Sequence, residues 1–285
     1  VLPPLRWVGS KRKYAADLAA RCNAHRGLHL RHIEPFLGSG AVALATPNDT
    51  PMILADACVP LGYLWWWIQR EPEAVAEYAA GYGVLMNNTT WNTRDGYKAL
   101  RKEHNAEPYA DDGYQPSARF LWLMAANFNG IYRENKLGQY NVPWGARAHV
   151  SLPSAADLRA IADHIACADI RPGWDFEDVM AEAGDGDVVF SDPPYDGDKS
   201  AFTSYVKKPF TADEQVRLRD VSVLAVERGA TVIMTNADTP RIRDLYQGWQ
   251  IEEMVEARPV AAAPRDRKPA HCLIVTLTPY QGRPW

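Results

Sequence analysis

Short apolar runs that end in turns mark both ends of the chain, while its middle carries a helical pattern. Near the N-terminus "HIEPF" (His32 to Phe36) and "MILAD" (Met52 to Asp56) have strand character, and "AVALA" between them predicts a helix, which together give a βαβ unit. From Asp187 the pattern resumes with "DVVFSD", a helical "TADEQVRLRDVSVLAVERG", "ATVIMTN", a short helix near Pro240 to Tyr246, and the terminal runs "WQIEEMVEA" and "HCLIVTL". Thr211 has the position of an N-cap with Glu214 at capping-box spacing, and Gly229 suits the C-terminus of the same helix. The chain therefore predicts an α/β fold split into two parts.

Between those parts the strand pattern disappears. The stretches "EPEAVAEYAAGYGVLM", "TRDGYKALRKEHN" and "SARFLWLMAANFNG" are helical in outline, and "NKLG" between "IYRE" and "QYNV" predicts a hairpin turn. The expected division is 1–57 with 170–285 as one domain, and 58–169 as an inserted lobe rich in Asn, Tyr and Trp. Lobes and loops on a rigid sheet commonly carry recognition.

Composition narrows the classes. With 285 residues and 47% apolar positions the chain can bury a core of its own. Its longest apolar stretch, around "LGYLWWWI", is far short of the ~20 residues needed to cross a bilayer. Cys22, Cys58, Cys167 and Cys272 stand far apart, which fits neither a zinc C-x₂-C pattern nor a disulfide-dense module, so a reducing cytoplasm is expected. Net charge is −4, so total charge does not point to nucleic acid. Local basic stretches remain: Lys11 to Lys13, Lys207 with Lys208, and Arg265 to Lys268.

In "EPFLGSGAVAL", Gly38 and Gly40 follow a strand and precede a helix, where glycines let a ligand approach the backbone. Asp56, at the end of the next strand, is placed to accept hydrogen bonds from two ribose hydroxyls. The pair implies an adenosine-containing cofactor. Gly38, Gly40 and Ala43 also satisfy G-x-G-x-x-A, which keeps a dinucleotide oxidoreductase open at this point.

The run "DVVFSDPPYDGD" ends on Asp192, Pro193, Pro194 and Tyr195. Two prolines cannot continue a central strand, so the chain leaves as a stiff outward loop. That loop offers acceptors. An exocyclic amine such as adenine N6 has two protons and a delocalised lone pair. If Asp192 accepts one proton and the Pro193 carbonyl the other, the lone pair can turn toward an electrophile, here a methyl sulfonium. Tyr195 adds a face for stacking, and a base within a duplex has to be flipped out to reach such a loop.

With these motifs in order, the chain resembles the Dam-type (alpha-class, D12) DNA adenine-N6 methyltransferases. The resemblance runs through "LRWVGSKRK", "PFLGSGAVAL", "ILAD", "NFNGIYRENKLGQYNVPWG", "SDPPY", "FTSYVKKPFT" and "IMTNADT". It implies a Rossmann-like seven-stranded sheet that binds S-adenosylmethionine, carrying an inserted target-recognition lobe. It implies cofactor contacts from Trp7, Lys11 (near the carboxylate), Phe36, Gly38, Ser39, Gly40, Asp56 and Asp192, with Phe176 lining the adenine pocket.

For DNA, the resemblance implies that the hairpin enters the major groove with Arg133 bidentate to a guanine and Ile131 and Pro143 as apolar neighbours. Phe128 and Asn129 stand where similar enzymes insert side chains near the flipped base. Arg6 stands where such enzymes have a lysine facing a guanine. Asn135, Tyr205, Lys207 and Lys208 complete the expected DNA-contacting set. Similar hairpins read GATC or related sites, and a monomer or homodimer acting on double-stranded DNA at the nucleoid is expected.

Other features are assigned ordinary roles. His25, His29 and His32 fall at i, i+4 and i+7, but Gly27 interrupts the helix, so surface histidines are expected rather than a metal site. Trp65 to Trp67 are expected to pack the lobe against the sheet. Three other readings stand beside adenine methylation: transfer to another planar amine (cytosine N4, an RNA adenine, a protein glutamine), an inactive DNA-binding module, and the oxidoreductase above.

Overall fold

The carboxyl ends of two adjacent parallel strands define the working edge of the molecule. The computed structural model describes residues 1–25, 30–84, 92–197, 210–256 and 270–279. Its sheet comprises β1 (His32–Glu34), β2 (Met52–Asp56), β3 (Ala168–Pro172), β4 (Val188–Ser191), β5 (Thr231–Ala237), β6 (Gln250–Glu256) and β7 (Ala270–Leu277), in the order β3-β2-β1-β4-β5-β7-β6. The first five are parallel and β7 runs antiparallel between β5 and β6. After β1 the chain builds outward through β2 and β3, and after β4 it builds the other way. The β1/β4 boundary is thus the switch point at which ligands bind in open α/β sheets. The α/β expectation and the seven-stranded sheet both hold.

Helices cover both faces, so β2 and β4 read as apolar runs rather than as alternation, while the short central β1 buries His32 and Glu34 as a pair. On one face Ile33, Ile53, Val189 and Val232 pack with α7 (Phe176–Met180), α8 (Ala212–Glu227) and α9 (Pro240–Leu245). On the other, α1 (Ala15–His25) lays Ala15, Leu18, Ala19 and Cys22 over Val188, Phe190 and Ile233. Beside α1, Met52, Leu54 and Ile170 share a core with α2 (Val59–Arg70) and with α3 (Pro72–Val84), α4 (Arg94–Ala106), α5 (Gln115–Ala126) and α6 (Ala155–His164).

These last five helices lie between β2 and β3 in the chain. Helix α4 starts at Thr93, whose side chain accepts from Gly96 N, and buries Tyr97, Leu100 and His104 at helical spacing. Helix α5 is buried on nearly all sides, and its Arg119 is neutralised by Glu103 at 2.6 Å. After α5 the chain forms a hairpin of isolated antiparallel bridges, Asn127 with Trp144 and Glu134 with Tyr140, so the turn at "NKLG" is where the sequence placed it. Trp65 is fully buried and joins this helical core to the glycine turn, donating its indole N–H to Gly38 O at 3.1 Å. Trp66 and Trp67 are half-buried, and Trp67 donates to Ala110 O.

Some expectations are corrected. "AVALA" forms a single 3₁₀ turn at Ala43–Ala45 rather than a helix, ended by an extended Thr46. His32 is buried, not on the surface, and its Nε2 pairs with Glu34 Oε1 at 2.8 Å; His29 lies outside the described residues. Thr211 caps α8 through Glu214 N, but the Glu214 carboxylate turns to Arg217 instead of closing a capping box. The expected domain limit at 170 falls inside β3, and the sheet resumes at Ala168. Among the described residues no helix is long and apolar enough to cross a membrane.

Gly40 offers a test of this packing. It holds φ +65°, and an added Cβ would lie 2.5 Å from the Trp65 ring, whereas Gly9, with φ +81°, has open space. Each Gly→Ala change should cost about 1–2 kcal/mol in left-handed strain, and Gly40→Ala should lose about 1–3 kcal/mol more from overpacking. Urea unfolding of the two variants measures the difference; equal losses would contradict the Gly40–Trp65 contact.

Candidate functional site

The glycine turn after β1 is tied to the end of β2. Asp56 accepts from Gly38 N at 2.8 Å on Oδ2 and from Cys58 N at 2.9 Å on Oδ1, and Leu37 N donates to Ala55 O. Each carboxylate oxygen retains acceptor capacity. Burial pushes the Asp56 carboxyl up to about 6, against the two N–H bonds that pull it down. Gly38 holds φ +51° and sits under the Trp7 ring, whose Cδ1 an added Cβ would meet at 3.1 Å. The buried Ser39 shares a 2.7 Å hydrogen bond with Ser10 in the N-terminal segment. On the opposite side of β2, the Phe36 and Phe176 rings stack at 5.4 Å, and Phe210 lies 5.9 Å and 5.8 Å from them.

The proline loop after β4 stands beside this turn because β1 and β4 pair directly, His32 opposite Val188 and Ile33 opposite Val189. Asp192 Oδ1 accepts a hydrogen bond from Thr235 Oγ1 at 2.5 Å and forms an ion pair with Lys11 Nζ at 3.0 Å. Among the described residues neither Oδ2 nor the Pro193 carbonyl accepts a hydrogen bond. Lys11 is only 3% exposed; its ammonium, expected at a cofactor carboxylate, also donates to Gly9 O and lies 4.8 Å from the centre of the Tyr195 ring.

The rest of the loop is fastened from behind. Gln215 Nε2 donates to Pro194 O at 2.9 Å, the buried Asn236 Nδ2 donates to Gln215 Oε1, and Asn236 Oδ1 accepts from Asp196 N. Asp196 in turn accepts from Thr239 Oγ1 at 2.7 Å and from Arg241 at 2.5 Å. Thr235, Gln215 and Asn236 were assigned no role from sequence. The only signal was the segment "IMTN", which contains two of them.

In the hairpin, Arg133 Nε donates to Asn141 Oδ1 at 2.7 Å, and no described residue occupies its two Nη groups. The buried Asn127 organises the loop before it, donating to Ile131 O and to the Tyr140 hydroxyl while accepting from Gly130 N. That loop exposes Phe128 (51%) and Asn129, which holds φ +61°. Arg6 is exposed and packs its Cβ against Gly130, joining the N-terminal segment to the hairpin, and Pro143 is exposed.

Two residues differ from expectation. Ile131 is 4% exposed and belongs to the core, so its side chain does not face outward. Asn135 is spent on the turn, its Oδ1 accepting from Leu137 N and Gln139 N, which leaves the exposed Leu137 at the tip instead. Tyr205, Lys207 and Lys208, together with the Arg265 to Lys268 stretch, lie outside the described residues.

The family profile of the D12 class N6 adenine-specific DNA methyltransferases matches residues 7–260. A DNA adenine methylase of Vibrio cholerae is 30% identical over 279 residues, covering 97% of this chain and 96% of that protein. The DNA adenine methylase of Escherichia coli K12 is 29% identical over 277 residues, covering 96% of this chain and 95% of that one. A DNA N-6-adenine-methyltransferase of Escherichia phage P1 is 33% identical over 251 residues, covering 87% of this chain and 32% of the phage protein.

The raised Asp56 carboxyl gives a signed pH prediction. In the ligand-free protein, the stability that Asp56 contributes is complete below its ordinary value of 3.8 and is lost as pH rises through about 6. Measured by urea unfolding, wild type should therefore lose stability relative to Asp56→Asn between pH 4 and about 6, then run parallel to it above that range. A gain over the same interval would contradict the burial assigned to Asp56.

Proposed function

The chain belongs to the D12 class of N6 adenine-specific DNA methyltransferases, and from that premise we propose that it methylates adenine N6 at a specific short site in double-stranded DNA, with S-adenosylmethionine as donor and the adenine flipped out of the duplex. The observation that carries this reading is the pair of acceptors, Asp192 Oδ2 and the Pro193 carbonyl, open among the described residues on a loop fixed beside the glycine turn.

The residues present fit the donor. The Gly38 turn lets a ligand approach the backbone, and Asp56 has acceptor capacity for ribose hydroxyls. The half-buried Phe36 beside Phe176 offers an apolar wall for a purine. Trp7 and Ser39 border the same turn. When bound, the donor supplies an electrophilic methyl on a sulfonium. The protein's own contribution is positional: Asp192 and Pro193 each accept one N6 proton, which turns the amine lone pair away from the ring, and Tyr195 stacks on the base.

Recognition falls to the segment between β2 and β3. In this reading residues 58–169 form the target-recognition part, and 1–57 with 170–285, extended back to Ala168, form the catalytic part. Arg133 reads a guanine in the major groove with its Nη pair, which no described residue occupies. Phe128, Asn129 and Arg6 lie along one edge of the hairpin loop, suited to the neighbourhood of the displaced base. Lys207 and Lys208 supply phosphate contacts.

Purified protein with labelled S-adenosylmethionine and unmethylated genomic DNA should yield N6-methyladenine by mass spectrometry. Asp192→Ala should bind the donor but form no product. N4-methylcytosine as the product, or normal turnover by the variant, would overturn the reading.

Specificity gives a second test. Arg133→Ala should lose about 1–3 kcal/mol of discrimination at one base pair, and Asn141→Ala should lose part of the same discrimination at that same position. Competition between duplexes with single-base changes measures both. A uniform loss over all positions would show that Arg133 contacts phosphate rather than a base.

A further inference from the structure

The buried polar groups behind the proline loop include one that points at the reacting carboxylate. Thr235 lies in β5, one residue beyond Met234, which pairs with Ser191 of β4, so the parallel register sets it beside Asp192. Its side chain is fully buried, yet its hydroxyl donates to Asp192 Oδ1 at 2.5 Å. Lys11 Nζ reaches the same oxygen at 3.0 Å from the N-terminal segment.

We propose that Thr235 is a positioning residue for methyl transfer: its hydroxyl, with the Lys11 ammonium paired to the same oxygen, holds Oδ1 of Asp192 in place, so that the carboxylate meets the adenine amine through Oδ2. This inference rests on the proposed role of Asp192 as an acceptor for adenine N6. An aspartate carboxylate rotates about a broad, roughly two-fold torsion and can present either oxygen. A hydroxyl bonded to one oxygen and an ammonium 3.0 Å from it remove that freedom. The two partners are not equivalent, because Lys11 ends a flexible stem, donates to Gly9 O and meets Asp192 as an ion pair. Thr235 is β-branched, stiff at χ1 and held in a central strand, so its hydroxyl defines the direction of the carboxylate.

The same arrangement serves the proton. As the methyl carbon–sulfur bond breaks and its electron pair stays on sulfur as a neutral thioether, N6 gains a carbon–nitrogen bond and gives up one N–H proton, which passes to Oδ2. Oδ1 keeps the Thr235 hydrogen bond whether Asp192 is ionised or protonated, since a carbonyl oxygen accepts from a hydroxyl as a carboxylate oxygen does. The orientation therefore survives the change of charge.

Thr235→Val removes the hydroxyl and keeps the shape; Thr235→Ser keeps the hydroxyl. The valine variant should bind S-adenosylmethionine and duplex DNA within about two-fold of wild type by calorimetry, while its single-turnover methylation rate falls roughly 10- to 100-fold. Serine should restore most of that rate. If valine prevents folding, Thr235→Ala replaces it with the same expectation.

Wild-type turnover in the valine variant, a serine variant as slow as valine, or a loss confined to binding would each overturn the proposal. Asp192→Ala, run in parallel, separates the two levels. If it still methylates, the functional reading fails; if it is inactive while Thr235→Val runs at full rate, only the role of Thr235 fails.

Discussion

The direct parallel pairing of β1 with β4 is the constraint on which the site depends. With Ile33 opposite Val189, the two strands end at the same sheet edge, which forces their exit loops together: a glycine turn leaves β1 and a proline corner leaves β4. A slip of one residue would send the apolar side chains of β4 to the wrong face. That register is held by burial, because Val188 and Phe190 pack under α1 while Val189 packs toward α8. Core packing on both faces thus sets the separation of two chemical groups that are distant in sequence.

Rigidity comes from a polar layer behind the edge. Thr235, Asn236 and Gln215 are buried and satisfied through the loop they hold, and buried polar networks of this kind favour one geometry when every member is paired. The Lys11–Asp192 pair, 3% and 18% exposed, is weak evidence for stability, since desolvation offsets most of its attraction. Its consequence is geometric, fixing one carboxylate oxygen and leaving the other. The recognition hairpin obeys the same rule: Asn127 shapes the loop, Asn135 closes the turn and Asn141 holds the base of the Arg133 fork.

The features legible in the sequence were local. β4 stood out because a fully buried parallel strand has no polar interruptions and here stops at two prolines, and Gly38 and Gly40 stood out because turns with positive φ leave few alternatives to glycine. β3 escaped notice because it is an edge strand with only Ile170 buried, so "ADIRP" carries no apolar run. The segment "AVALA" has helical composition, yet it closes after one turn. Thr235 and Asn141 act through partners 43 and 8 residues away, and no spacing rule in the sequence reports such contacts. Ile131 and Asn135 show the converse, since membership of a motif does not say whether a side chain faces the groove or the core.

The mechanism stands on a single geometric claim, that an extruded adenine docks with its amino group between Asp192 Oδ2 and the Pro193 carbonyl. A crystal structure with an S-adenosylmethionine analogue and a duplex carrying the methylated site tests it most directly. The mechanism predicts N6 within about 3 Å of both oxygens, with the ring on Tyr195 and Oδ1 still held by Thr235 and Lys11. An adenine outside the duplex whose N6 touches Oδ1, or neither acceptor, would contradict it.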